Sequence, residues 1–250
     1  MTKLPAGLED AIAQAMVATN AALADGKTRL QVELVIPELK MMPVAEQFLP
    51  ALEDRGAGLR VFFPDPGAAA LARRDWGEKP YSIRGIGEMK AQIQPDETLF
   101  LFIEPSSVEV EEVEPLCNEA GDRPVVFLNP HLEDIATVGI GYAARQLRQR
   151  FLNSFDSCYY ICASEGALIF RCYPSQWQVW GEVVKDSVND SGDDYELLAE
   201  FPHRPTGEDL EQLFNPASEE QSQDRQVPVA TPKKRGLLGE LQNLFKALSQ

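Results

Sequence analysis

TLFLFIEPSSVEVEEVEPLCNEAGDRPVVFLN (98–129) decides the fold, because it reads as strand, helix, strand. TLFLFI (98–103) and PVVFLN (124–129) are short apolar runs without polar alternation. Strands of that kind are buried on both faces, as in parallel sheets sandwiched by helices. Between them, Ser106 and Glu109 stand three apart, the spacing of a capping box. Val113, Leu116, Cys117 and Ala120 then fall on one helical face, and Gly121 suits the stop.

The same alternation continues toward the N-terminus. Residues 4–25 carry Leu8, Ile12, Ala15, Met16 and Leu23 at helical spacing, with Gly26 as terminator. In RLQVELVIPEL (29–39), Leu30, Val32, Leu34 and Ile36 alternate with other residues, which predicts a strand ending at Pro37. PVAEQFLPALEDR (43–55) reads as a helix broken by Gly56 and Gly58. LRVFF (59–63) is a third apolar run, and AAALARRDW (68–76) the next helix. A short strand is expected near 81–86. Strands alternating with helices of this length predict a Rossmann-like three-layer sandwich over residues 1–150.

The pattern changes after a helix expected at 140–153. FDSCYYICA (155–163), GALIFRCY (166–173), WQVWGEVV (177–184) and YELLAEF (195–201) follow in succession. Short turns at Glu165-Gly166, Pro174-Ser175 and Ser191-Gly192-Asp193 make them an antiparallel meander. The meander either extends the parallel sheet or packs as a small subdomain, and the absence of a linker before it favours extension. Thr206 and Asp209 open a last helix at 207–214. The fold class is therefore α/β, with a parallel N-terminal sheet extended by a C-terminal antiparallel meander. One domain is expected over 1–215. Residues 216–232 are polar, Pro-containing and aperiodic, the composition of a disordered linker.

Composition limits the function classes. With 44% hydrophobic and 25% charged residues the chain is of ordinary globular make-up, and its net charge of −16 opposes binding to nucleic acid. Cys117, Cys158, Cys162 and Cys172 form no C-x-x-C pair, and no apolar segment opens the chain. Both features suit a reducing, cytoplasmic setting. Cys158 and Cys162 share strand parity and are expected near Cys172, as buried thiols. With two histidines, His131 and His203, no metal site or other cofactor is expected.

Open α/β sheets bind ligands beyond the carboxyl ends of their strands. There the chain places Asp65, Gly67, Glu104, Asn129 and His131, with Arg73 and Arg74 one helix later. These residues either converge on a small-molecule site or serve as caps and surface ion pairs. Gly139, Gly141 and Ala144 form G-x-G-x-x-A, either a phosphate cradle or a tight turn against a helix. Tyr159, Tyr160, Tyr173, Trp177 and Trp180 are either sheet packing or an interface anchor.

The last stretch, KKRGLLGELQNLFKALSQ (233–250), is distinct. Leu237, Leu238, Leu241, Leu244, Phe245 and Leu248 lie on one helical stripe. Lys233, Lys234, Arg235 and Lys246 against Glu240 give this segment a charge of about +3. An amphipathic helix with a basic end docks on a partner groove, on a membrane surface or on its own domain.

FPDPGAAALARRDWG (63–77), RPVVFLNPHLEDIATVGIGYAARQLRQRFLNSFDSCYYI (123–161) and RCYPSQWQVW (171–180) together resemble an uncharacterised domain family of cyanobacteria and chloroplasts. RLQVELVIPEL (29–39) and ELLAEFPHRPTGEDL (196–210) fit it too. That family includes the plastid factor named for low photosystem II accumulation. The resemblance covers about 1–215 and carries over no catalytic residue. It implies a non-enzymatic accessory or assembly factor, with photosystem II subunits or thylakoid insertion factors as protein partners. Its expected place is the cytoplasm, held peripherally at the thylakoid membrane through the tail. The other reading is a nucleotide- or metabolite-binding enzyme or sensor built on the sheet rim and the Gly139-Gly141-Ala144 loop.

Overall fold

The structure, a computed structural model, describes residues 3–89, 91–132, 142–164, 167–183 and 195–214. The linker 216–232, the tail 233–250, Gly139 and Gly141 lie outside the described residues, as do the turns at 165–166 and 191–193. Helix α1 (Leu8–Ala24) leads into β1 (Arg29–Val35), α2 (Met41–Phe48), β2 (Leu59–Phe63), α3 (Pro66–Asp75), β3 (Ser82–Gly85) and β4 (Leu99–Ile103). Then come α4 (Val110–Ala120), β5 (Val125–Leu128), α5 (Tyr142–Arg150), β6 (Asp156–Ser164), β7 (Ala167–Cys172), β8 (Trp177–Glu182), β9 (Tyr195–Phe201) and α6 (Gly207–Phe214).

The nine strands among the described residues form one sheet, in the order β3-β2-β4-β5-β1-β6-β7-β8-β9. The first six in that order pair in parallel, and β7, β8 and β9 continue antiparallel. The meander thus extends the sheet, and β6 is its hinge: parallel to β1 on one side, antiparallel to β7 on the other.

One face of the sheet packs on α1, α2 and α3. Ile12, Ala15, Ala45, Phe48 and Ala72 meet Leu30, Val32, Leu34, Val61, Leu101 and Tyr159 in one core. The opposite face is covered over β2, β4 and β5, where Val113, Leu116 and Cys117 of α4 join Phe62, Phe102, Phe127, Phe151 and Phe155. This explains the continuous apolar runs: every residue of β2, β4 and β5 is buried.

Three local expectations change. The helix read over 43–55 ends at Phe48 and gives way to 3₁₀ turns at Leu49–Ala51 and Glu53–Gly58, because Pro50 cannot donate to an α-helical ladder. Ser106 and Glu109 do bond each other (Ser106 Oγ to Glu109 Oε2, 2.6 Å), but in a turn that precedes the helix starting at Val110. Cys158 and Cys162 do not share a face. The β1–β6 register shifts at Gln31/Val32, and Cys158 points with Tyr159 toward α1, where its Sγ lies 3.5 Å from Thr19 Oγ1. Cys162 stays on the opposite face, with Tyr160 and Trp177. One extra residue in a strand reverses side-chain parity, which cysteine spacing does not register. Cys172 packs in the same core as Cys158, and all four cysteines are free thiols.

Among the described residues no helix is long and apolar enough to cross a membrane.

Candidate functional site

Strand β1 lies in the middle of the sheet, yet it alternates. Leu30, Val32 and Leu34 enter the α1 core, while Gln31 and Glu33 point to the other face. Over β1, β6 and β7 that face opens into a cavity of about 800 Å³. Its floor is Gln31, Glu33 and Ser157; one wall is Phe127, Phe155, Leu132 and His131; the other is Arg171, Trp177, His203 and Arg204. Arg148, Leu152 and Asn153 border it from α5 and the turn after it, and Asp156 and Pro130 complete the rim. The volume is that of an ordinary small-ligand or side-chain pocket.

Glu33 organises the floor. Gln31 Nε2 and Ser157 Oγ both donate to Glu33 Oε2 at 2.9 Å, and Arg204 Nη1 donates to Oε1 at 3.3 Å. Burial pushes the Glu33 carboxyl above the usual carboxylate range, against the opposing pull of Arg204, Ser157 and Gln31. Arg204 is fixed in turn: its Nη2 donates to Tyr160 Oη at 2.7 Å, and its guanidinium lies 4.3 Å from the Tyr160 ring centroid and 5.9 Å from that of Trp177. Tyr160 and Trp177 pack together with centroids 5.2 Å apart. The wall is therefore a stack of planar groups held by cation–π contact.

Arg171 stands on β7, paired with Tyr160 of β6, and its guanidinium lies 5.3 Å from the Trp177 ring centroid. Its Nε is buried with no acceptor among the described residues. Asp156, whose charge acts on it, is bonded to Lys27 Nζ at 2.6 Å. Burial lowers the Arg171 pKa from its ordinary value, the mark of a cation short of solvent.

At the carboxyl ends of the strands the chain exits alternate between faces: α2 and α3 go to the α1 side, α4 to the other. That alternation makes switch points where α/β sheets leave crevices. Glu38, Glu104 and Asn129, after β1, β4 and β5, have φ of 58°, 50° and 55°. Three left-handed non-glycine residues on adjacent strand ends are uncommon. Asn129 is buried, and its Oδ1 accepts from Leu34 N at 3.0 Å, tying β5 to β1. Glu104 is half-buried; burial raises its carboxyl pKa while His131 pulls it down. His131 pairs backbone to backbone with the loop after β4, donating from N to Pro105 O at 2.7 Å, and it also lines the cavity.

The remaining predicted rim residues sit apart from these. Asp65 caps α3, accepting from Ala68 N at 2.9 Å, and a side chain at Gly67 would meet Asp65 Oδ1 at 2.9 Å. Arg73 donates to Ile83 O at 2.7 Å and faces Glu88 at 3.6 Å, and Arg74 pairs with Asp75 at the surface. Ala144 lies on α5. The structure thus joins Glu104, Asn129 and His131 at one edge and leaves Asp65, Arg73 and Arg74 toward β2 and β3. Sequence reasoning did not single out Gln31, Glu33, Ser157, Arg171 or Arg204. The available signal was a central strand that alternates where its neighbours do not, with a carboxylate at its middle. Among the described residues no group of histidine, cysteine and acidic side chains could hold a metal ion.

A family model described as Domain of unknown function (DUF1995) matches residues 5–212. No solved structure matches the chain.

Proposed function

The chain belongs to the DUF1995 domain family, and from that premise we propose that it is a non-enzymatic accessory factor for assembling photosynthetic membrane complexes, photosystem II first among them. It works by binding a segment of a protein client at the thylakoid surface. The observation that carries this reading is the cavity over β1, β6 and β7. One wall combines Trp177, Arg171 and Arg204, with Tyr160 packed against Trp177 and Arg204, the residue types that dominate protein recognition sites. Its floor carboxylate is already bonded by Gln31, Ser157 and Arg204, an arrangement that shapes a binding surface. The resemblance of residues 63–77, 123–161 and 171–180 to the family that includes the low photosystem II accumulation factor supports the choice of client.

The test is a pull-down from detergent-solubilised cyanobacterial thylakoids with the full chain and with Trp177→Ala. Enrichment of photosystem II subunits or insertion factors by the full chain, lost with Trp177→Ala, is the expected result. Failure of the full chain to enrich either group overturns the reading. The tail 233–250 supplies the membrane contact in this scheme. Its removal is expected to abolish binding to anionic liposomes, and equal binding with and without it refutes that part. A second reading, a nucleotide or metabolite sensor at the sheet rim, is favoured by the left-handed Glu38, Glu104 and Asn129 beside His131. It requires a thermal shift with excess ligand that Glu104→Gln removes.

A further inference from the structure

We infer that the cavity contains a carboxylate subsite at Arg171, so that the segment it takes presents an acidic side chain next to a flat apolar one. This rests on the client-binding reading above and names the chemistry of the client.

Three observations carry it. The first is the state of Arg171. Its Nε is buried in the cavity wall without an acceptor among the described residues. A buried donor left unmade is costly, and a guanidinium more so. The second is that the carboxylates of the cavity are already engaged. Glu33 accepts from Arg204, Ser157 and Gln31, and Asp156 accepts from Lys27 at 2.6 Å. Neither satisfies Arg171 Nε. An external carboxylate entering the cavity would meet the charge of this half-buried guanidinium, with a planar fork that matches guanidinium geometry. The third is the charge of the lining. On a molecule of net charge −16, the described lining of the cavity carries the cations Arg148, Arg171 and Arg204 and the carboxylates Glu33 and Asp156. The acidic exterior repels acidic chains in general, and the cavity accepts one locally, which is how a charged surface obtains selectivity.

The flat neighbour follows from the aromatic groups on both walls. Trp177 stacks under Arg171 on one, and Phe127 and Phe155 stack on each other, with centroids 4.1 Å apart, on the other. A ring or branched apolar side chain beside the acidic one would enter between these surfaces.

The test uses two matched peptides, N-acetyl-Glu-Phe-Glu-amide and N-acetyl-Gln-Phe-Gln-amide, titrated into the full chain with intrinsic tryptophan fluorescence as readout. The acidic peptide is expected to bind about ten-fold more tightly than the neutral one, the effect of one charge-assisted hydrogen bond. Raising the salt should weaken only the acidic peptide. Arg171→Gln should abolish the difference while leaving the melting temperature unchanged or higher, because it removes a desolvated charge. Trp177→Phe, which keeps an aromatic wall, should retain the acidic preference. Equal affinity of the two peptides for the full chain overturns the inference, as does a preference that survives Arg171→Gln. If thylakoid subunits are captured but the acidic preference is absent, the carboxylate subsite fails and the client reading stands. If the acidic preference is present and no subunit is captured, the client reading fails and the subsite stands.

Discussion

Substituting Asn129 separates two contributions that meet at the carboxyl edge of the sheet. Its Oδ1 accepts from the buried Leu34 N–H at 3.0 Å, and its backbone is left-handed, with φ of 55°. Alanine removes the acceptor and orphans a buried backbone donor, which costs about 1–3 kcal/mol. It also places a residue without a local polar group in the left-handed region, which costs about 1 kcal/mol more. Asn129→Ala should therefore lose about 2–4 kcal/mol. Asn129→Gly orphans the same donor but adopts the backbone freely, so it should lose about 1–3 kcal/mol. The expected gap of about 1 kcal/mol between the variants corresponds to roughly 2–4 °C in Tm for a domain of this size. Equilibrium unfolding in urea, followed by far-ultraviolet circular dichroism, measures both. If alanine and glycine destabilise equally, the left-handed turn is not imposed by the fold. If either stays within about 0.5 kcal/mol of the parent, the bond to Leu34 contributes nothing, and the tie between β5 and β1 is wrong.

Glu33→Gln should change the pH dependence of stability. Burial raises the folded-state pKa of Glu33 above its ordinary 4.5, so its contribution is fully present below that value and lost as pH rises through the raised pKa. The variant should gain stability relative to the parent as pH increases from about 4.5 toward neutrality; urea midpoints across that window would refute this if the difference shrank instead. Glu97→Ala leaves the buried Arg60 without the carboxylate that accepts from its Nε at 2.6 Å, and should cost about 3–5 kcal/mol. Joint replacement by Arg60→Met and Glu97→Leu should recover most of that loss in the same assay. Burial holds the thiol of Cys117 at about 12 and those of Cys158 and Cys172 at about 11. A disulfide reagent at pH 8 should therefore modify Cys162 first in the native protein, with the other three reacting only on unfolding; peptide mapping that finds Cys158 labelled first would contradict its placement against Thr19.

The layers of this protein are legible in its chain because burial is periodic and local. LRVFF (59–63), TLFLFI (98–103) and PVVFLN (124–129) declare strands covered on both faces, and the structure buries every residue of β2, β4 and β5. Gly26, with φ of 79°, ends α1 where its position predicts, and Thr206 and Asp209 bond reciprocally at the start of α6. Short-range steric and hydrogen-bonding rules act within a few residues, so a sequence states them directly. Strand order is another matter. That β1 lies between β5 and β6 follows from how the helices pack, and no local pattern records it. Nor does spacing reveal the register shift beside Cys158, which sends Cys158 and Cys162 to opposite faces.

The candidate site belongs to this second kind. Glu33 and Arg204 are 171 residues apart, and their contact exists only because β1 and β6 pair while the chain after β9 folds back over them. The sequence by itself determined which segments are strands and helices, where they stop, and that the body is an acidic α/β domain. Only the tertiary structure decided which strands are neighbours. It thereby decided that Gln31, Glu33, Ser157, Arg171, Trp177 and Arg204 share one cavity. Side-chain periodicity constrains a residue to a face, and the identity of what it meets on that face is set by packing at long range.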